Sequence, residues 1–288
     1  MINDLCIICP SGANLSAINS GRLCQLAKAG LWASDCAGVS SGAVAGAFAA
    51  TGQHHLTKPI WTKDNLSHRL YGWLAKAKCG YPVDVDYLID HNCRQFDWEA
   101  LVGSKANVHV GLFNLATGDT SYFNTRNLAI DEGKEVMKGT CALAGVTRPI
   151  KLWGQTWCDG GTAVSLPFTW VKSLGYKRIL VLANRPEGHG LNPFPDRYLK
   201  RLQGGEFDLV LKTATTRDAI YRAEIAAAKA DPAALVIFPP AELAGINPFH
   251  RSRTTATKLF EVGERQIQAM WPQIVNWLGI DSPTEQVV

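Results

Sequence analysis

A pentapeptide near the N-terminus contains a serine in a pattern typical of nucleophilic catalysis. Residues 38–42 are Gly-Val-Ser-Ser-Gly, which matches G-x-S-x-G with Ser40 at the centre. In this motif the serine lies on a sharp strand-to-helix turn, and the flanking glycines, here Gly38 and Gly42, remove side chains that would collide. The motif predicts that the Ser40 hydroxyl attacks an acyl carbon, with Ser41 as the rival nucleophile.

The segments on either side of Ser40 fit such a turn. An apolar segment, residues 36–39, precedes the serine and predicts a strand, and residues 41–50 are almost all small and predict a helix. Small residues let that helix approach the sheet closely. Its N-terminus would then point at the reaction centre, where the helix dipole favours a developing oxyanion.

A serine hydroxyl is a weak nucleophile until a base takes its proton. One hypothesis is a Ser-His-Asp triad on an α/β-hydrolase fold, because His189 and His250 follow Asp159 in the chain order that such a triad needs. That fold places several strands before the nucleophile strand. Here one predicted strand, residues 5–9, comes before it, so the order of elements disfavours the triad.

The first fifty residues predict a βαβα unit. The strand at residues 5–9 is followed by a helical pattern from Ala17 towards Gly30, then by the strand and helix around Ser40. Parallel strands joined by helices need both faces covered. We therefore expect an α/β fold with a mostly parallel central sheet and helices on both faces. Because no linker or repeat divides the chain, residues 1–288 should form a single domain.

The remaining elements follow from hydrophobic periodicity and turn residues. They are a helix over 58–78, hairpins at 108–123 and 150–158, helices near 130–143, 168–174 and 214–229, strands at 178–183 and 235–238, and a C-terminal helical extension at about 250–280. The 58–78 helix would contain both Trp61 and Trp73. We expect it to pack on the core as a lid, and contact with a membrane interface is the alternative.

Three motifs in order resemble the patatin-like phospholipase family, in its bacterial type with a Ser-Asp dyad. They are a loop of small residues after the first strand (residues 11–16), the Ser40 turn, and the distant sequence Asp159-Gly160-Gly161. The resemblance covers about residues 5–185. It implies a single-domain patatin-like fold.

The resemblance also implies a mechanism. Asp159 would accept the Ser40 proton directly, without histidine, and backbone N–H groups of Ser11, Gly12 and Ala13 would form the oxyanion hole. The protein would be a serine esterase that cleaves carboxylic esters of lipids, as a phospholipase A, a lysophospholipase or a simpler esterase. The expected partner is a lipid or acyl-ester substrate, with transient contact to a membrane surface. Neither a metal nor another cofactor is expected.

The loop at residues 11–16 departs from the family pattern. Ser11, Ala13 and Ser16 stand at its usual glycine positions, and Leu15 replaces its basic residue. Alanine and serine adopt positive φ less readily than glycine. A second hypothesis is therefore a non-catalytic lipid-binding or regulatory protein on the same fold.

Composition restricts the remaining classes of function. The 288 residues are 47% hydrophobic, which is enough for one large core, and the net charge of +4 comes from scattered basic residues rather than a nucleic-acid-binding face. The cysteines lie mostly in apolar stretches, and Cys6 and Cys9 form a lone C-x-x-C, so we expect core thiols instead of a metal site. With no signal peptide or membrane-spanning run, the expected location is cytoplasmic, with signal-less export left open.

Overall fold

The computed structural model describes residues 2–280 as an α/β fold built on one eight-stranded sheet. The strands are β1 (Ile2–Cys9), β2 (Ala33–Val39), β3 (Asn107–Asn114), β4 (Thr120–Asn124), β5 (Ile150–Leu152), β6 (Gln155–Asp159), β7 (Arg178–Leu182) and β8 (Ala234–Ile237). The α-helices are α1 (Ala17–Lys28), α2 (Ser41–Ala50), α3 (Thr57–Thr62), α4 (Trp73–Cys79), α5 (Trp98–Val102), α6 (Ile130–Thr140), α7 (Phe168–Ser173), α8 (Asp196–Leu199), α9 (Asp208–Ala214), α10 (Arg217–Ala230) and α11 (Arg253–Leu278).

The sheet is mixed. Its order is β5-β6-β3-β2-β1-β7-β8, with β4 also paired to β3. Five neighbouring strands run parallel, namely β3, β2, β1, β7 and β8. The strands β4, β5 and β6 make antiparallel pairs. The prediction of a mostly parallel sheet is therefore only partly correct. The physical reason is that β4 and β5 belong to hairpins, whose short turns force antiparallel pairing.

Helices cover both faces of the sheet, as predicted. Along β1, Leu5, Ile7 and Cys9 pack on the face covered by α1 and α11. The alternate residues Cys6 and Ile8 pack on the other face, against α7 and α10. Because side chains alternate along a strand, Cys6 and Cys9 lie on opposite faces and do not form a joint site.

The elements around the first motif agree with prediction, but the 58–78 segment does not. The strand–helix–strand–helix order of the first fifty residues is confirmed. The single long helix is wrong, because α3 ends at Thr62 and α4 begins only after Gly72, which has a φ of 88°. As a result Trp61 is buried, whereas Trp73 is 76% exposed.

The C-terminal helix α11 packs against α1 at very short range. A Cβ atom added to Gly263 would lie 2.1 Å from the carbonyl oxygen of Ile18, and one added to Gly21 would lie 2.0 Å from that of Phe260. Close by, the fully buried Arg22 donates to Asn19 on its own helix, to the carbonyl of Ala183 and to Gln266 on α11. The helix α11 is therefore part of the core.

This packing predicts that Gly263→Ala lowers the free energy of unfolding by about 2 kcal/mol, despite the better helix propensity of alanine. The added methyl group meets backbone atoms, which cannot rotate away. Gly205→Ala is the control, because its added Cβ meets nothing within 4 Å. Urea unfolding of both variants tests the prediction, and two equally stable variants would contradict it.

Candidate active site

Ser40 occupies the turn between β2 and α2 in a conformation that few non-glycine residues adopt. Its φ is 57° and its ψ is −136°. The turn needs both flanking glycines, because a Cβ on Gly42 would lie 2.2 Å from the carbonyl oxygen of Cys9, and one on Gly38 would lie 2.6 Å from the Cα of Ala43. Such local strain is typical of a nucleophile turn.

Strand register brings Asp159 next to Ser40. The strand β2 pairs with β3 as far as Gly111, while β6 pairs with β3 from Leu112, which is the partner of Asp159. Since β4 occupies one edge of β3 up to Phe113, β6 must continue along the edge that β2 leaves. Asp159 therefore lies where β2 ends, and it lines the same cavity as Ser40.

The carboxylate of Asp159 is held away from water. Its Oδ1 accepts a hydrogen bond from the Gly161 amide at 2.8 Å. Burial raises the pKa of Asp159 from 3.8 to about 6, against the lowering effects of the Ser40 and Gly161 hydrogen bonds and of the Arg217 charge. At neutral pH Asp159 is therefore mainly ionised and is more basic than an exposed aspartate, as a proton acceptor needs to be.

Thr140, at the end of α6, holds the Ser40 turn in place through two hydrogen bonds. Its Oγ1 accepts a hydrogen bond from the Ser40 amide at 2.7 Å and donates one to the carbonyl of Gly111 at 2.8 Å. Thr140 is completely buried. It thereby ties the nucleophile turn to β3, the strand that also pairs with Asp159.

In the loop at residues 11–16, one backbone amide forms a structural hydrogen bond and two others, beside the cavity, remain unpaired within residues 2–280. The Ser11 amide donates to the carbonyl of Ser165 at 2.9 Å, and the two serine hydroxyls are 2.6 Å apart. The amide of Ser11 is thus already engaged. Those of Gly12 and Ala13 have no hydrogen-bond partner among the described residues, and both residues line the cavity that contains Ser40.

The loop achieves its shape without the usual glycines. Ala13 adopts a φ of 47°, a left-handed conformation that costs an alanine about 1–2 kcal/mol. Gly12 has an extended φ of −178°, but a Cβ there would lie 2.0 Å from Nδ2 of Asn184. That Nδ2 donates to the Ser11 carbonyl at 2.8 Å and so anchors the loop to the segment after β7.

The first amides of α2 add a further candidate donor. Within residues 2–280 the Ser41 amide has no hydrogen-bond partner, as expected for the first turn of a helix. In nucleophile turns the residue after the serine commonly contributes an oxyanion-hole amide. Sequence reasoning considered Ser41 only as a rival nucleophile; the motif itself contained the information for this role.

Ser40 and Asp159 line a cavity of about 290 Å³, and its lining includes both apolar and charged residues. Its apolar residues include Val44, Ile60, Trp61, Leu88, Leu143 and Val146. Its charged residues are Asp159, Arg185 and Arg217. The two arginines were missed by sequence reasoning, because neither lies in a motif.

Histidine is absent from the lining of this cavity as far as residues 2–280 define it. His189 is exposed and its Nδ1 lies 3.1 Å from the carbonyl oxygen of Glu187. His250 also lies outside the lining. As far as the described residues define this lining, Ser40 shares it with the carboxylate of Asp159 and with no imidazole.

Comparison with known protein families and with curated proteins found no match to this sequence. In the described part of the chain, no helix has the length and apolar character needed to cross a membrane. Within the same residues, no group of three or more His, Cys, Asp or Glu side chains is placed to hold a metal ion.

The buried Asp159 predicts a pH-dependent change in stability. Because its folded pKa is raised, its protonated form stabilises the fold fully below pH 3.8, and this stability is lost as the pH rises through about 6. The rise corresponds to about 3 kcal/mol. Asp159→Asn should therefore be more stable than the parent protein by up to about 3 kcal/mol at pH 8, and no more stable at pH 3.5.

Denaturant unfolding at a series of pH values measures this difference. Asp119→Asn, at an exposed position in the β3–β4 turn, is the matched control and should follow the parent protein at every pH. A difference between Asp159→Asn and the parent that does not change with pH would contradict the assigned pKa.

Proposed function

We propose that this protein is a serine acyl hydrolase that cleaves carboxylic esters of lipids, with Ser40 as nucleophile and Asp159 as base, on a patatin-like fold. The observation that carries the proposal is that Ser40 and the buried Asp159 line one largely apolar cavity, where Ser40 lowers the pKa of the Asp159 carboxyl group. A strained nucleophile turn supports it. So does the family resemblance of the three motifs.

In the acylation step, Oγ of Ser40 would bond to the ester carbonyl carbon while its proton passes to Asp159. The carbonyl oxygen becomes an oxyanion, for which the amides of Gly12, Ala13 and Ser41 are the free donors, and each such donor is typically worth about 3 kcal/mol. The carbon–oxygen bond to the alcohol then breaks. Asp159 returns the proton to the departing alkoxide, which leaves an acyl-enzyme.

In the deacylation step, Asp159 would take a proton from water as that water attacks the acyl carbon. The bond to Ser40 breaks, and the serine oxygen recovers the proton from Asp159. The products are a carboxylic acid and an alcohol, and the enzyme is restored. The apolar wall formed by Val44, Ile60 and Trp61 suits the acyl chain during both steps.

The first test of this proposal is covalent labelling. A fluorophosphonate probe should modify Ser40, and Ser40→Ala should abolish both labelling and hydrolysis of p-nitrophenyl butyrate. Ser41→Ala is the matched control, because it removes the neighbouring hydroxyl and keeps the backbone amide. Intact-mass analysis and peptide mapping identify the modified residue.

Full activity of Ser40→Ala would overturn the nucleophile assignment. If the parent protein binds fatty acids in the cavity but neither reacts with the probe nor hydrolyses any ester, the non-catalytic lipid-binding hypothesis is correct instead.

The second test concerns the base. Asp159→Asn should lower kcat by about a thousandfold or more, whereas His189→Ala and His250→Ala should stay within about twofold of the parent protein. Because Asp159 must be ionised to accept a proton, kcat/KM should rise as the pH increases through about 6 and then level off. A large loss in either histidine variant would favour a triad.

A further inference from the structure

Two arginines that the proposed reaction does not use line the same cavity as Ser40. Arg185 follows β7, the strand next to β1, and so lies beside the 11–16 loop. Arg217 is the first residue of α10, and its guanidinium carbon lies 4.1 Å from the centre of the Phe194 ring. Two cations therefore line a cavity that is otherwise largely apolar.

Both guanidinium groups are poorly paired. Arg185 is only 8% exposed, and its Nε has no hydrogen-bond partner among the described residues. The Nε of Arg217 is likewise buried without a partner in this part of the chain, although its Nη1 donates to the carbonyl of Asn192. Neither arginine forms a salt bridge within residues 2–280.

Another buried arginine of this fold, Arg22, does not have unpaired guanidinium nitrogens. Arg22 is fully buried too, yet its nitrogens donate to Asn19, Ala183 and Gln266. That arginine joins structural elements. A buried guanidinium with an unsatisfied nitrogen on a cavity wall is costly to fold, unless a ligand supplies the missing acceptor.

The charges in the cavity do not balance. As far as residues 2–280 form it, its lining contains two arginines and one carboxylate, that of Asp159, whose Oδ1 already accepts from the Gly161 amide. The nearby carboxylate of Asp218 accepts from Arg222 and from the Leu191 amide. One positive charge thus lacks a counterion, and a ligand with one negative charge would neutralise it.

We infer that Arg185 and Arg217 form a subsite for an anionic group of the ester substrate, either a phosphate or a carboxylate. The inference rests on the proposed hydrolase function and narrows its substrate class to esters that carry a negative charge near the scissile bond. Guanidinium groups bind these two anions through paired N–H donors, which gives both strength and orientation.

The electrostatics of the arginines agree with this role. Burial lowers the pKa of both Arg185 and Arg217; for Arg217 the charge of Asp159 acts against this lowering and the charge of Arg185 adds to it. Both lowering effects show that the positive charges are held in a medium that disfavours them. A bound anion would relieve the burial cost and the mutual repulsion together.

The experiment compares esters in matched pairs. Mono-p-nitrophenyl adipate against p-nitrophenyl hexanoate tests a carboxylate, and lysophosphatidic acid against a monoacylglycerol of the same chain tests a phosphate. For the parent protein, kcat/KM for the anionic member should exceed that for the neutral member by about tenfold or more in at least one pair. The pair that shows the preference identifies which anion the subsite takes.

Substitutions then assign the preference to the arginines. Arg185→Gln should remove most of it, and Arg185→Lys should keep part of it, because charge remains without the paired donors. Arg197→Gln, at an exposed position on α8 outside the cavity lining, controls for general charge effects and should keep the preference. Arg217→Gln should also move the pH profile upwards, because the Arg217 charge lowers the pKa of Asp159.

Calorimetry of hexyl phosphate against hexanol, with the parent protein and with Arg185→Gln, tests the subsite independently of turnover. Tighter binding of hexyl phosphate that is lost in the variant supports the subsite, even for a protein that hydrolyses nothing. Hydrolysis of neutral esters as fast as anionic ones in both pairs overturns the subsite and leaves the hydrolase proposal intact. A preference that survives in Arg185→Gln also overturns it.

Discussion

The close approach of helix α2 to the end of strand β1 is the constraint on which the candidate site depends. At Gly42 the backbone of the helix lies so near the carbonyl groups of Cys9 and Pro10 that no side chain fits between them. The helix can be this close because most of its residues are small, with glycine at the point of contact. The turn before it is correspondingly sharp, and Ser40 takes a positive φ at its apex. The same approach brings the Ser41 amide into the cavity that the 11–16 loop also lines.

A second constraint is the burial of Asp159, which forms no direct salt bridge within residues 2–280. The fold tolerates this because two hydrogen bonds and the more distant charge of Arg217 offset part of the burial cost. The remaining cost is the reason that Asp159 is basic enough to take a proton near neutral pH. In the proposed reaction, the burial that makes Asp159 a better base also lowers the stability of the fold, a common opposition at catalytic residues.

The secondary structure was predictable from the sequence where the hydrophobic pattern and the turn residues match the elements of the fold. The βαβα unit, the hairpins and the C-terminal helix follow from periodicity and turn residues, and the structure has each of them. The prediction of one helix over 58–78 fails because the apolar spacing continues past Thr62, whereas the backbone leaves the α-helical conformation at Lys63 and returns to it only after Gly72. A periodic pattern records which residues are apolar but not whether the backbone stays helical between them.

The candidate site was predictable only in part, for a related reason. Ser40 and Asp159 lie in motifs that can be recognised in the sequence alone. Thr140, Arg185 and Arg217 do not, because their relation to Ser40 arises from strand register and from loops that meet at one edge of the sheet. Residues that only the tertiary structure brings together have no fixed spacing in the sequence, so a single sequence does not reveal them.

The 11–16 loop shows why a departure from a motif does not by itself indicate lost function. Glycine matters in such a loop for two separate reasons, conformational freedom and space for the backbone. The space is kept at Gly12, where Asn184 fills the position that a side chain would need. The conformation is kept at Ala13 at the cost of strain, and the Ser165 and Asn184 contacts on Ser11 hold the strained loop in place. What an oxyanion requires is unpaired amides, and the loop has them at Gly12 and Ala13 without the usual glycine pattern.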